Sequence, residues 1–108
     1  ETRRSRGEVV RDNLVREPDG TLAFVLDFVG SSLEGIGSGA NISVEASVGD
    51  NGELAASRVV HNPATNGWRG FVNVKRNNGS QPLDIRAKLM LDGKQVSETW
   101  YYRLPANG

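Results

Sequence analysis

The sequence predicts an all-β domain, an immunoglobulin-like β-sandwich of about seven antiparallel strands. Short runs of alternating apolar and polar residues recur along the chain, and Asx-Gly turn pairs separate them at positions 19–20, 51–52, 66–67, 78–79 and 92–93. No stretch carries a sustained apolar pattern at helical spacing. Short strands at such regular spacing are typical of an immunoglobulin-like sandwich, and a small barrel is the structural alternative.

Length and composition bound the class of protein. A chain of 108 residues supports one hydrophobic core. Thirteen basic and thirteen acidic residues cancel, so no strong field favours nucleic acid or an anionic membrane. The absence of cysteine excludes disulfides and thiolate sites, and no apolar run reaches the roughly 18–20 residues that span a bilayer. Because the chain does not begin with Met, we expect an excised or processed piece.

The first twenty residues are expected to be an inter-domain segment with a weak first strand, and residues 21–108 the sandwich domain. Imperfect alternation over Gly7 to Arg16 predicts an edge position or a bulge. After a Pro-Asp-Gly turn, Leu22 to Val29 is apolar on both faces and therefore predicts a central strand. Asp27 is the exception in this strand, and we expect it to be solvated or hydrogen-bonded.

The middle of the chain adds three strands and one long connection. Residues 30–39 hold four glycines and three serines but lack the Lys and following helix of a phosphate-binding loop. We expect them to connect the sheets, with Leu33 and Ile36 on the core edge. The next predicted strands are Ile42 to Val48, Leu54 to His61 and Trp68 to Lys75.

The residues from Leu83 to Leu104 predict a hairpin. Apolar residues occupy alternate positions from Leu83 to Leu91, and Asp92-Gly93 suits a two-residue type I′ turn. The returning strand is predicted from Val96 to Leu104. Strict alternation places Glu98 on its apolar face, where an unpaired carboxylate is costly. We therefore expect a bulge that turns Glu98 outward, a bond to Arg69, Arg86 or a backbone turn, or a contact with another domain.

The residue chemistry does not predict a catalytic or metal site. His61 is the only histidine, and no ligand spacing for a metal is present. Ser57, His61 and Asp84 can be combined as a triad only on paper, because no nucleophile-elbow motif supports it. We expect no catalytic, cofactor-binding or metal-binding residue in this chain.

The aromatic residues offer a second class of function. Trp68, Trp100, Tyr101 and Tyr102 include residue types that stack on sugars in carbohydrate-binding sandwiches. Tryptophans of an immunoglobulin-like fold more often fill its core, however, and only Tyr101 alternates outward.

Four segments together resemble a known family: Phe24 to Phe28 followed by a Gly-containing loop, Asn66 to Arg69, Leu83 to Ala87, and above all Val96 to Tyr102. In order and spacing they are similar to the C-terminal domain of the periplasmic glucan biosynthesis protein G/D family (MdoG/OpgG/OpgD). The resemblance runs from about Thr21 to Leu104.

The resemblance implies a periplasmic protein involved in osmoregulated periplasmic glucans, which are β-1,2-linked glucose chains. It implies a larger glucan-processing N-terminal domain that holds the family's acidic catalytic residues, none of which can be carried over to this chain. We expect a non-catalytic domain that packs against that N-terminal domain, or alternatively an independent carbohydrate-binding module for β-glucans. Nucleic acid, membrane insertion and cofactors are not expected. Candidate interface residues, charged or aromatic beside the matching motifs, are Arg69, Glu98, Tyr101 and Arg103.

Overall fold

The structure, a computed structural model, describes residues 7–30, 33, 36–37 and 39–108. Within these residues the chain forms eight strands: β1 (Glu8–Arg16), β2 (Leu22–Val29), β3 (Ile42–Val48), β4 (Gly52–Asn62), β5 (Gly67–Arg76), β6 (Leu83–Leu91), β7 (Lys94–Gln95) and β8 (Trp100–Leu104).

The strands form two antiparallel sheets that enclose one core. The first sheet has the order β1-β2-β5-β4, and the second has β6 between β3 on one side and both β7 and β8 on the other. When β7 and β8 are counted as one interrupted strand, this is the four-plus-three strand order of a constant-type immunoglobulin domain. The predicted sandwich is confirmed, with eight strands because the returning arm of the terminal hairpin forms a short β7 next to the turn and then β8, which covers only the end of the predicted Val96 to Leu104 strand.

The core forms between the inner faces of the two sheets because strand residues alternate between faces. Leu33 and Ile36, predicted at the core edge, contact the core, and Leu33 is completely buried. The buried apolar residues are Leu22, Phe24, Leu26, Phe28, Leu33, Val44, Trp68, Val72, Val74, Leu83, Ile85, Ala87, Leu89 and Leu104.

The first strand lies at an edge and contains an irregularity, as its imperfect alternation predicted. β1 pairs with β2 from Glu8 opposite Val29 to Arg16 opposite Leu22, and the register shifts between Val9 and Arg11. β2 therefore lies between β1 and β5, which confirms it as a central strand. The domain boundary near residue 20 stays a prediction.

The terminal hairpin has the predicted turn but an interrupted return. Asp92 and Gly93 have φ angles of 49° and 85°, as a type I′ turn requires. Beyond the turn, the returning chain uses the four residues 96–99 to cover two residues of β6. Such extra residues form a bulge and change which side chains face the core. Here Ser97 is buried and Glu98 is exposed, so of the three alternatives for Glu98 the structure shows the bulge that turns it outward.

Hydrogen bonds hold this interruption in place. The Ser97 hydroxyl accepts from the backbone N–H of Leu89 at 2.8 Å and donates to the carbonyl of Glu98 at 2.9 Å. Gly7 forms a parallel bridge to the same segment: its N–H donates to the Val96 carbonyl at 3.1 Å, and its carbonyl accepts from the Glu98 N–H at 2.6 Å. A polar side chain and a distant backbone thus replace the missing ladder bonds.

Candidate interaction surfaces

The outer face of the first sheet carries exposed apolar side chains. Val15 and Val60 are 44% and 39% exposed on it. We call this surface the apolar outer face. By register it comprises the apolar side chains of Val15, Ala23, Val25, Val29, Ala56, Val60 and Phe71, together with Glu8, Arg11, Asn13, Asp27, Glu53, Arg58, Asn62, Arg69, Asn73 and Lys75.

An ion pair lies in the middle of the apolar outer face. Arg69 Nε donates to Asp27 Oδ1 at 2.7 Å, and the two residues are directly opposite on β5 and β2. The Asp27 side chain is only 11% exposed, whereas that of Arg69 is 41% exposed. The hydrogen bond to Asp27 raises the pKa of Arg69 above its usual range. The expectation that Asp27 is hydrogen-bonded is confirmed, and the pair neutralises charge within the apolar surface.

A second arginine covers the aromatic residue of this face. The guanidinium carbon of Arg58 on β4 lies 3.9 Å from the ring centroid of Phe71 on β5, a cation–π geometry. Phe71 is therefore only partly exposed, although it points away from the core. The face therefore combines apolar side chains with arginines, of which Arg58 lies over Phe71 and Arg69 pairs with Asp27.

The outer face of the second sheet is polar. Its central element is Asp84, whose Oδ1 accepts from the Tyr101 hydroxyl at 2.8 Å and lies 3.8 Å from Arg103 Nε. The guanidinium carbon of Arg86 lies 4.8 Å from the centroid of the Tyr101 ring. The other outward side chains of this sheet are Ser43, Glu45, Ser47, Lys88 and Met90. Such a surface suits contact with water.

The four predicted interface residues lie in different places. Arg69 belongs to the apolar outer face, whereas Tyr101 and Arg103 lie on the polar face of the other sheet and meet at Asp84. Glu98 is exposed at the interruption before β8, in a shallow cleft that Glu8 also lines. Their role as interface contacts stays a prediction. Sequence reasoning considered Asp84 only for a triad and missed that it faces Arg103 across the hairpin.

A third feature lies where the two sheets meet at an open edge. Trp100 Nε1 donates to Asp12 Oδ2 at 3.0 Å and so joins β8 of the second sheet to β1 of the first. The Trp100 and Tyr102 rings are parallel, with centroids 5.8 Å apart, and the Phe24 ring lies 5.7 Å from each. A cleft of about 200 Å³ opens here, and we call it the seam cleft; its lining residues are Asp12, Asn13, Leu14, Phe24, Trp100 and Tyr102.

The structure separates the aromatic residues that sequence reasoning grouped together. Trp68 is buried in the core, and the imidazole of His61 packs against it with ring centroids 5.1 Å apart. Tyr101 lies on the polar face and bonds to Asp84. Only Trp100 and Tyr102 of the predicted set come together at a partly exposed site.

The described residues contain neither a metal-ligand group nor a helix of membrane-spanning length. Among them, no three His, Cys, Asp or Glu side chains come together in a group suited to a metal ion. The same part of the chain contains no helix with the length and apolar character that a membrane crossing demands.

The family model described as "Periplasmic glucan biosynthesis protein, MdoG" matches residues 1–104. This chain belongs to the MdoG family. The predicted resemblance is therefore confirmed. The MdoG-family chain is also 45% identical over 107 residues to "Glucans biosynthesis protein G" of Serratia proteamaculans (strain 568). That alignment covers 99% of this chain and 20% of the relative, so the chain spans about a fifth of the relative's length.

Among solved structures, this chain is similar to the GAE domain of GGA2p from Saccharomyces cerevisiae. The two align with a TM-score of 0.45 and 12% sequence identity, over 93% of this chain and 98% of that domain. A likeness at this level carries no argument about the MdoG-family chain, whose sandwich is established by its own strand order.

Proposed function

We propose that this chain is a non-catalytic, immunoglobulin-like domain of a periplasmic glucan biosynthesis protein. Its role is to pack against the glucan-processing part of the same protein and to support it in the periplasm. The apolar outer face of the first sheet carries this proposal, because it is the surface by which the domain would attach.

The contrast between the two sheets supports an attachment at the first one. A sandwich needs only the inner face of each sheet for its core, and the second sheet accordingly has charged and hydroxyl side chains outside. The first sheet instead carries valines and Phe71 on its outer face. Strand propensity favours valine in any strand, but it does not account for the different outer faces of two sheets in one domain. Covering apolar area stabilises a complex by roughly 25 cal/mol per Å².

The proposed occupant is the remainder of the same protein. The chain corresponds to 20% of the length of the curated relative, so a surface of the larger part is held at high local concentration by covalent connection. The charges indicate what that surface carries. Arg11, Arg58 and Arg69 lie on the apolar outer face, where Asp27 is paired with Arg69 and the other acidic residues, Glu8 and Glu53, lie toward the ends of their strands. We expect carboxylates on the partner surface opposite Arg11 and Arg58, because arginine forms paired bonds with carboxylates.

Val60→Lys tests the proposal, with Ser43→Lys as the matched control. Both positions are exposed, both lie on outer faces, and both changes add one positive charge. In the 108-residue chain we expect both variants to melt close to wild type. In the full-length protein we expect Val60→Lys to uncouple the domain, so that calorimetry resolves a separate transition, while Ser43→Lys unfolds like wild type. Equal behaviour of the two full-length variants would remove the apolar outer face as the attachment surface.

A comparison of stability with activity tests the remaining predicted contacts. Glu98, Tyr101 and Arg103 are each replaced by alanine. A variant supports an interface role if the melting of the 108-residue chain is unchanged while the full-length protein loses activity toward glucan. An equal loss of stability in the chain by itself would assign these residues to the domain's own structure.

A further inference from the structure

We propose that the seam cleft binds one glucose unit of a glucan chain. The identity of the sugar rests on the proposed function, whereas the site itself rests on the geometry of Asp12, Trp100 and Tyr102. The inference gives this domain a direct contact with a carbohydrate in addition to its supporting role.

The aromatic side chains of the cleft are accessible in a way that the core aromatics are not. Phe24, Phe28 and Trp68 are buried, whereas Trp100 and Tyr102 stay partly exposed although they alternate toward the inner face of β8. The reason is topological. β1 pairs with β2 and β8 pairs with β6, so two edge strands from different sheets meet at the cleft and leave it open to solvent.

The polar groups of the cleft suit sugar hydroxyls. Trp100 Nε1 donates to Asp12 Oδ2 and thereby fixes the carboxylate against the indole edge. Among the described residues no group donates to Asp12 Oδ1, and none bonds to the Tyr102 hydroxyl. A carboxylate oxygen accepts bonds from hydroxyls, and a phenol both donates and accepts. Beside these polar groups, the aromatic rings supply an apolar surface on which the C–H face of a sugar ring can pack.

The size and charge of the cleft restrict its ligand. About 200 Å³ is smaller than the roughly 300–1,000 Å³ of pockets for drug-sized ligands, so a single sugar ring fits better than a long segment. The lining contains no basic side chain, and Asp12 would repel phosphates and acidic sugars. A neutral glucosyl unit satisfies both conditions. For one small ring we expect a dissociation constant on the order of 1 mM.

The experiment is an NMR titration of the 108-residue chain with linear β-1,2-linked glucan oligosaccharides. The two indole N–H signals act as internal probe and reference, because Trp100 Nε1 lies at the cleft and Trp68 Nε1 is buried without a partner in the described part of the chain. We expect a saturable shift of the Trp100 signal and none of the Trp68 signal. Asp12→Ala is expected to weaken binding about tenfold, as the loss of a charged hydrogen-bond acceptor does.

Glu45→Ala is the matched control, since it likewise removes one exposed carboxylate, but from the polar outer face of the second sheet. It should leave the glucan affinity unchanged, and thermal unfolding of both variants checks that they are folded. Absence of a saturable Trp100 shift, or equal affinity of Asp12→Ala and wild type, would overturn the inference. Neither result bears on the calorimetry of Val60→Lys. If glucan binds at the cleft but Val60→Lys and Ser43→Lys behave alike in the full-length protein, an independent carbohydrate-binding module is favoured instead.

Discussion

Replacing Ser97 by alanine should destabilise the domain far more than its small change in volume suggests. The side chain is completely buried, and its hydroxyl is the acceptor for the backbone N–H of Leu89, itself a fully buried residue. The substitution keeps the methylene group and removes only the oxygen. It therefore isolates the contribution of the hydroxyl at the interruption between β7 and β8.

The magnitude follows from the loss of the bonds that join the Ser97 hydroxyl to Leu89 and Glu98. The Glu98 carbonyl belongs to an exposed residue and can bond to water instead. The Leu89 N–H lies in the core, and an unsatisfied buried donor costs about 1–3 kcal/mol. In a domain of this size that corresponds to a decrease in Tm of roughly 5–15 °C.

Urea unfolding of the 108-residue chain, followed by tryptophan fluorescence, measures this loss. Ser47→Ala is the matched control, because Ser47 is exposed on the outer face of β3, and we expect it to change stability by less than about 0.5 kcal/mol. Hydrogen exchange of the Leu89 amide should accelerate in Ser97→Ala. A Ser97→Ala variant as stable as Ser47→Ala would refute the reasoning, since it would mean that water or a backbone shift satisfies Leu89.

Three further predictions concern other parts of the fold. Gly67→Ala should lower the Tm strongly, because its Cβ would collide with a backbone carbonyl of β2; Gly79→Ala, with open space around it, should melt near wild type. Arg69→Met should lower the Tm more than Arg103→Met, because only the first change leaves a largely buried carboxylate without its partner; similar losses would contradict this. Asp19 accepts a backbone hydrogen bond that lowers its carboxyl pKa, so its stabilisation is present above the unfolded pKa and is lost as pH falls below about 3.8. Asp19→Ala should consequently lose less stability than wild type between neutral and strongly acidic pH, as measured by urea midpoints, and a parallel loss in both proteins would exclude this effect.

Much of the fold was predictable because strand alternation is local information. The period of two located the inner face of β6, and the Asp92-Gly93 pair predicted a turn with positive φ at both residues. The apolar character of β2 on both faces predicted its central position. The position of Glu98 was left open, because the bulge depends on Gly7 reaching it from the other end of the chain.

The candidate surfaces were less predictable because alternation identifies the face of a strand but not its sheet. Arg69 and Tyr101 both point outward, yet they lie on opposite sides of the sandwich. The bond between Asp12 and Trp100 joins residues 88 positions apart, and no local pattern indicates it. The strand order of a constant-type immunoglobulin domain would have placed these residues correctly.

The bridge at Gly7 gives the domain a mechanical property. The segment around Gly7 runs parallel to the closing segment around Ser97, and two backbone hydrogen bonds join them before β1 begins to pair with β2. A pull on the chain at Gly7 against the end of β8 would load these bonds together in shear, rather than peeling β1 from its sheet one bond at a time. The interruption that turns Glu98 outward thus also forms a clamp, through which tension entering at Gly7 reaches the second sheet directly.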